Sequence, residues 1–136
     1  MASRPVAPLK PSTKARPKYY DLNLLNLPMP GLVSIFHRIT GVAMFLFLIP
    51  LTLIILQTTL QSEAGFAAWQ GYFNNLVVKL ILMGFVWAFM HHLFAGIRYL
   101  LLDLHIGVDK EPAQASAKVV LIAGLVATVI VAARVW

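Results

Sequence analysis

The residues able to do chemistry in this 136-residue chain are few, and they lie in or beside long apolar runs. Ser34, His37, Arg38 and Thr40 form one cluster, and His91, His92, Arg98 and Asp103 form a second. An imidazole can ligate a metal or carry a proton. A guanidinium keeps its charge and matches carboxylates bidentately. A hydroxyl beside it can donate a hydrogen bond to an oxygen on which charge develops. The chain has no cysteine, so a disulfide framework, a thiolate metal site, an iron–sulfur cluster and a covalently attached c-type haem are all excluded on it. Any metal must be held by the four histidines or by carboxylates.

Composition says where these groups are placed. Hydrophobic residues make up 60% of the chain and charged ones 12%, with a mean hydropathy of +0.79. An ordinary soluble domain carries about a quarter charged residues, which argues against a water-soluble globule. Five of the six net positive charges come from Arg4, Lys10, Lys14, Arg16 and Lys18, with no acid in the first 20 residues. Beyond them, six basic residues face five acidic ones. A short basic tail before apolar runs is the flank of a membrane segment, and no nucleic-acid partner is expected.

The pattern predicts an all-α membrane protein with three transmembrane helices at about 34–60, 76–102 and 116–136. They follow a basic N-terminal segment over 1–30 that holds six of the eight prolines and so cannot form one long helix. Pro50 is expected to kink the first span, with neighbouring helices accommodating the freed carbonyl. Residues 61–75 read as a connection. Lys118 can snorkel to one interface, while Arg134 and Trp136 mark the other. The apolar run starts too late and is too long for a cleaved signal peptide, and the prolines argue against an amphipathic mitochondrial targeting helix. Lys and Arg concentrate in the N-terminal tail and the second connection. The N-terminus and the second connection are therefore expected in the cytoplasm or matrix and the C-terminus outside. The lack of a convincing transit peptide favours a bacterial inner membrane, with the N-terminus in the cytoplasm, over a mitochondrial one. Three spans hardly enclose a cofactor alone, so the bundle is expected to be completed by helices of other subunits.

Helical spacing groups the polar residues. Ser34 and Arg38 are i and i+4 on one face, and Gly41 leaves space beside it. His92, Gly96, Tyr99 and Asp103 form one stripe, and His91 with Arg98 forms the next. Two readings stay open for each cluster. Arg38 is either an interfacial side chain reaching headgroups or part of a site, and His92 is either a neutral, hydrogen-bonded imidazole or a ligand. The bare Gly96 favours a ligand, because a flat macrocycle held by His92 needs room about one turn along the same face. His91 and His92 point about 100° apart and cannot be opposite axial ligands. His37 is expected near the inner interface and His92 roughly 15 Å above the end of its helix, so their depths are not expected to match. A second axial ligand would then come from another subunit. Arg98, roughly 9 Å nearer the inner face, approaches the level of His37 and Arg38, where haem propionates would meet cations.

The stretch Ser34-Ile-Phe-His-Arg-Ile-Thr-Gly41 resembles the S-x-x-H-R-x-[ST]-G signature of the cytochrome b556 subunit of succinate dehydrogenase, a membrane anchor of respiratory complex II. His92-Leu-Phe-Ala-Gly-Ile-Arg-Tyr-Leu-Leu-Leu-Asp103 is similar to that family's H-x-x-x-G-x-R-H-x-x-x-D, with Tyr99 where a histidine is usual. Arg16-Pro17 ahead of the first span extends the likeness. The resemblance implies a subunit with no succinate chemistry of its own. Electrons from succinate would arrive through a flavoprotein subunit and an iron–sulfur subunit and reduce ubiquinone near the membrane.

By motif position His92 would be an axial ligand of haem b. Ser34 and Arg38 would line the quinone site, and His37 and Arg38 would approach the haem propionates, with Arg98 in support. The second haem ligand and a quinone-binding tyrosine would come from the second membrane anchor subunit. Ser34 would donate a hydrogen bond to the quinone, Arg38 would stabilise anionic charge there, and His37 or water would carry protons. Two other classes fit less well. A haem-free structural anchor predicts assembly insensitive to His92. A small transporter or channel subunit would use the same residues as an ion path, but the sequence has no internal repeat and no membrane-embedded acid besides the interfacial Asp103.

Overall fold

The computed structural model describes residues 27–135, so expectations about the basic tail, Arg16-Pro17 and Trp136 lie outside the described residues. Within them the chain is helical, with no strand, as an all-α membrane protein requires. Three stretches are long and apolar enough to cross a membrane: Met29–Gln61, Leu76–Asp103 and Lys110–Val135. Spanning segments must satisfy every backbone polar group internally, which is why these apolar runs fold as helices.

The first span is built from α1 (Met29–Ala43), a π-helical turn (Met44–Leu48) and α2 (Ile49–Gln61). It starts five residues before the expected Ser34, because Pro30 occupies the first turn, where its missing N–H costs nothing. The Gly31 N–H bonds the Pro28 carbonyl at 2.8 Å and so closes that turn. Pro50 follows closely on the π-helical turn. The Ile49 N–H reaches back five residues to the Met44 carbonyl, widening the turn that a proline ring would otherwise crowd. Beyond this bulge α2 buries no side chain. An apolar cleft of about 390 Å³ lies between Leu48 and the facing Met83, Phe89 and Val131.

The expected connection at 61–75 is instead a helix, α3 (Glu63–Phe73). Ser62 turns the chain in an extended conformation and its hydroxyl accepts the Gly65 N–H at 3.0 Å. Gly65 lies against the Thr58 carbonyl, where a Cβ would collide, and the Trp69 Nε1–H donates to Thr58 Oγ1 at 2.6 Å. An 11-residue helix is too short to span a membrane, so span counting passes over it.

Helix α4 (Leu76–Asp103) begins at Asn75, whose Oδ1 accepts the Val77 N–H at 2.9 Å. Helix α5 (Lys110–Val135) starts six residues before the expected position, with Pro112 in its first turn. Helices α1, α4 and α5 meet around a core of small residues, Val33, Ala95, Ala117 and Val120. Small side chains allow the close backbone approach on which helix packing in lipid depends. Gly124 extends that approach: a Cβ there would stand 3.3 Å from the Cα of His91.

The end of α4 is closed by paired bonds, His105 N–H to the Leu102 carbonyl at 2.9 Å and Ile106 N–H to the Leu101 carbonyl at 3.0 Å. This places His105 at φ 61°, a left-handed position that favours glycine. His105→Gly should therefore stabilise the protein by about 1 kcal/mol, read as a rise in thermal midpoint after detergent extraction.

Candidate functional site

The site is built where α1 crosses α4. Thr40 is 3% exposed, and its hydroxyl lies 2.8 Å from the Phe36 carbonyl and 3.1 Å from the His37 carbonyl, one turn back on its own helix. A threonine inside a span satisfies its hydroxyl in this way. The single hydroxyl proton is then committed to the backbone, and the oxygen of Thr40 faces α4 with lone pairs only. Across the helix pair stands His92, with Nδ1 3.1 Å from the His37 carbonyl and 3.3 Å from Thr40 Oγ1. Both oxygens are acceptors, so the arrangement is satisfied only when Nδ1 carries the proton. Nε2 is left with its lone pair and makes no hydrogen bond among the described residues. It is also not among the enclosed, unpartnered ring nitrogens, which are those of His91.

Glycine permits this contact. A Cβ on Gly41 would stand 3.0 Å from His92 Cε1, tighter than carbon atoms normally approach, so the space beside the Ser34 face receives the edge of the imidazole. The space beside Gly96 is faced by His37, whose Nε2 lies 3.8 Å from where a Cβ would be.

His37 and His92 stand at one depth, contrary to the expected mismatch. Their rings stack at a centroid separation of 4.0 Å with 14° between planes, and His37 also leans on Tyr99 at 5.2 Å. The reason is the early start of α1. His37 lies eight residues, roughly 12 Å, into its helix, and His92 lies eleven residues, roughly 16 Å, from the end of α4. Stacked rings present faces to each other, so this pair does not bracket a metal between its nitrogens. Among the described residues no three histidines or carboxylates gather as a metal-holding group.

The remaining site candidates divide between two places. Ser34 and Arg38 share a face as their spacing requires, with Arg38 Nη2 donating to Ser34 Oγ at 3.4 Å from an exposed position. Arg98 is 5% exposed and reaches the other way, to α5. Its Nε donates to Ser116 Oγ at 2.9 Å, and its Nη2 donates to the Ala113 carbonyl at 3.2 Å. Two contacts that pattern reading does not supply matter here: Thr40, already in the first polar cluster, holds His92, and Ser116, which the sequence does not single out, holds Arg98. Both are hydroxyls at helical spacing within apolar runs, and only their partners on other helices distinguish them.

His91, beside His92 in sequence, has an environment of a different kind. It is fully buried, stacked on Trp87 at 5.4 Å and edge-on to Phe36 at 5.9 Å, and the backbone of Val33 is the polar group that faces it, short of good hydrogen-bond geometry.

The chain as a whole is similar to known proteins. Residues 12–131 match the profile of the succinate dehydrogenase/fumarate reductase transmembrane subunits, and the chain belongs to that family. It is 30% identical over 121 residues to the succinate dehydrogenase cytochrome b556 subunit of Coxiella burnetii, covering 89% of this chain and 97% of that one. It is 33% identical over 111 residues to the protein of the same name from Paracoccus denitrificans, covering 82% and 84%. With the Rickettsia felis protein of that name it shares 24% over 115 residues, 85% of this chain and 89% of the other.

An enclosed polar group without a partner costs about 1–3 kcal/mol. Ser116→Ala, which strips the buried Arg98 of an acceptor, is expected to lower the thermal midpoint of the detergent-solubilised protein.

Proposed function

We propose that this chain is the haem b-binding and quinone-binding membrane subunit of a succinate:quinone oxidoreductase, helping to pass electrons from succinate oxidation to ubiquinone. The observation that carries the reading is the α1–α4 crossing. There an intramembrane imidazole has one nitrogen tied to oxygens of α1 and the other without a partner among the described residues. Histidine ligands to metals hold their second ring N–H in this way, commonly on a backbone carbonyl. The residues present fit a haem that His92 Nε2 would hold, with a further ligand expected from the second membrane anchor subunit. Bound there, the haem supplies one-electron storage and transfer beside the quinone.

The chain's own residues supply binding and charge. Ser34 and Arg38 lie within hydrogen-bond distance of one another on an exposed face, a hydroxyl donor beside a fixed cation. Such a pair can bind a quinone carbonyl and stabilise charge developing on its oxygen without surrendering the guanidinium proton. His37 lies against His92 and one residue from Arg38, which suits it to carry a proton towards that oxygen and, with Arg38, to face the haem propionates. Arg98 spends one N–H of Nε and one of Nη2 on α5, which leaves three of its five N–H donors for an anionic group.

The flavoprotein and iron–sulfur subunits would supply the electrons, and the lipid bilayer, taken as a bacterial inner membrane with the N-terminus in the cytoplasm, surrounds the spans. Names of the relatives and the excess of Lys and Arg before the first span support this arrangement.

Two variants of the assembled complex test the reading. His92→Ala should remove or alter the b-type absorption bands. Arg38→Ala should depress quinone reduction at least tenfold, about 1.4 kcal/mol of lost stabilisation, while succinate oxidation by a soluble dye stays near wild type. Equal loss of both activities would indicate failed assembly, and a wild-type complex without iron would favour a haem-free anchor.

A further inference from the structure

Resting on the assignment of His92 as a haem ligand, we propose that Thr40 is a positioning residue that fixes the tautomer and ring plane of His92 and thereby tunes the reduction potential of the iron. Thr40 touches neither metal nor quinone in this reading. Its action passes through the imidazole.

The argument begins with proton counting. The hydroxyl of Thr40 has one proton and two carbonyls of its own helix within reach, Phe36 at 2.8 Å and His37 at 3.1 Å. The shorter contact takes the proton. Towards α4 the oxygen can then only accept, and the atom it meets is His92 Nδ1 at 3.3 Å. The His37 carbonyl meets the same nitrogen at 3.1 Å. A bare Nδ1 would face two oxygen lone pairs in a setting where Thr40 is nearly fully buried, a costly arrangement. The N–H is therefore at Nδ1 and the donor lone pair at Nε2.

Shape acts in the same direction. Gly41 closes on the Cε1 edge of the ring, 3.0 Å from a Cβ position, while the His37 ring lies parallel to it at 4.0 Å. The imidazole is thus held at its edge, at its face and at one nitrogen, all by a single turn of α1. A polarised Nδ1–H makes Nε2 a stronger donor, which favours the ferric over the ferrous state. Removing one of its two acceptors weakens that effect.

The experiment uses the assembled complex and reads the haem midpoint potential and visible spectrum by redox titration. Thr40→Val keeps the branched shape and lacks the hydroxyl, and Thr40→Ala lacks both. Each should retain haem with an upward shift in midpoint, and Thr40→Ser should return it to the wild-type value. If valine impairs assembly, the alanine and serine variants carry the comparison. An unmoved or lowered midpoint in haem-loaded Thr40→Val or Thr40→Ala overturns the proposal, as does a serine variant that behaves like alanine. A His92→Ala complex that keeps its b-type bands overturns the ligand assignment beneath it. Loss of those bands beside an unmoved Thr40→Val midpoint overturns the role of Thr40 alone.

Discussion

The structure turns on an imidazole placed where water cannot satisfy it. In a hydrocarbon setting His92 must find an acceptor for its N–H within the protein, and it finds two on α1, the His37 carbonyl and the Thr40 hydroxyl. That pair of contacts fixes how closely α1 and α4 approach, and the glycine at 41 is required because the ring edge comes so near. The rest of the near-end packing follows from the same closeness. A core of valines and alanines, and Gly124 against the backbone of His91, let α5 join the pair without a layer of bulky side chains between them.

The two adjacent histidines show how environment divides identical side chains. Among the described residues His92 has an anchored nitrogen and an unpartnered one, whereas His91 is enclosed by Trp87, Phe36 and α5 and faces only the backbone of Val33. The first arrangement suits a ligand, and the second is a packing element that carries a polar cost. The arginines divide likewise. Arg38 stands exposed beside Ser34, while Arg98 is buried and holds the start of α5 through Ser116 and Ala113.

Much of this was legible in the amino-acid sequence. Apolar run lengths gave three spans, and the i, i+4 relation of Ser34 and Arg38 gave their shared face. Three features were not legible, each for a physical reason. Helix α3 is too short for any span count, and it is held by Ser62 and by Trp69 on Thr58. The relative depth of His37 and His92 depends on where each helix starts, and Pro30 in the first turn of α1 moves that start towards the N-terminus. The role of Thr40 depends on a contact across 52 positions, which spacing on a single helix cannot reveal.

The measurement that bears most directly on the account is a density map of the assembled complex fine enough to resolve side chains around His92. The account predicts unbroken density from His92 Nε2 to a haem iron, with Nδ1 still within hydrogen-bond distance of the His37 carbonyl. An imidazole rotated towards the acyl chains, with any iron in the assembly ligated wholly by other subunits, would contradict it.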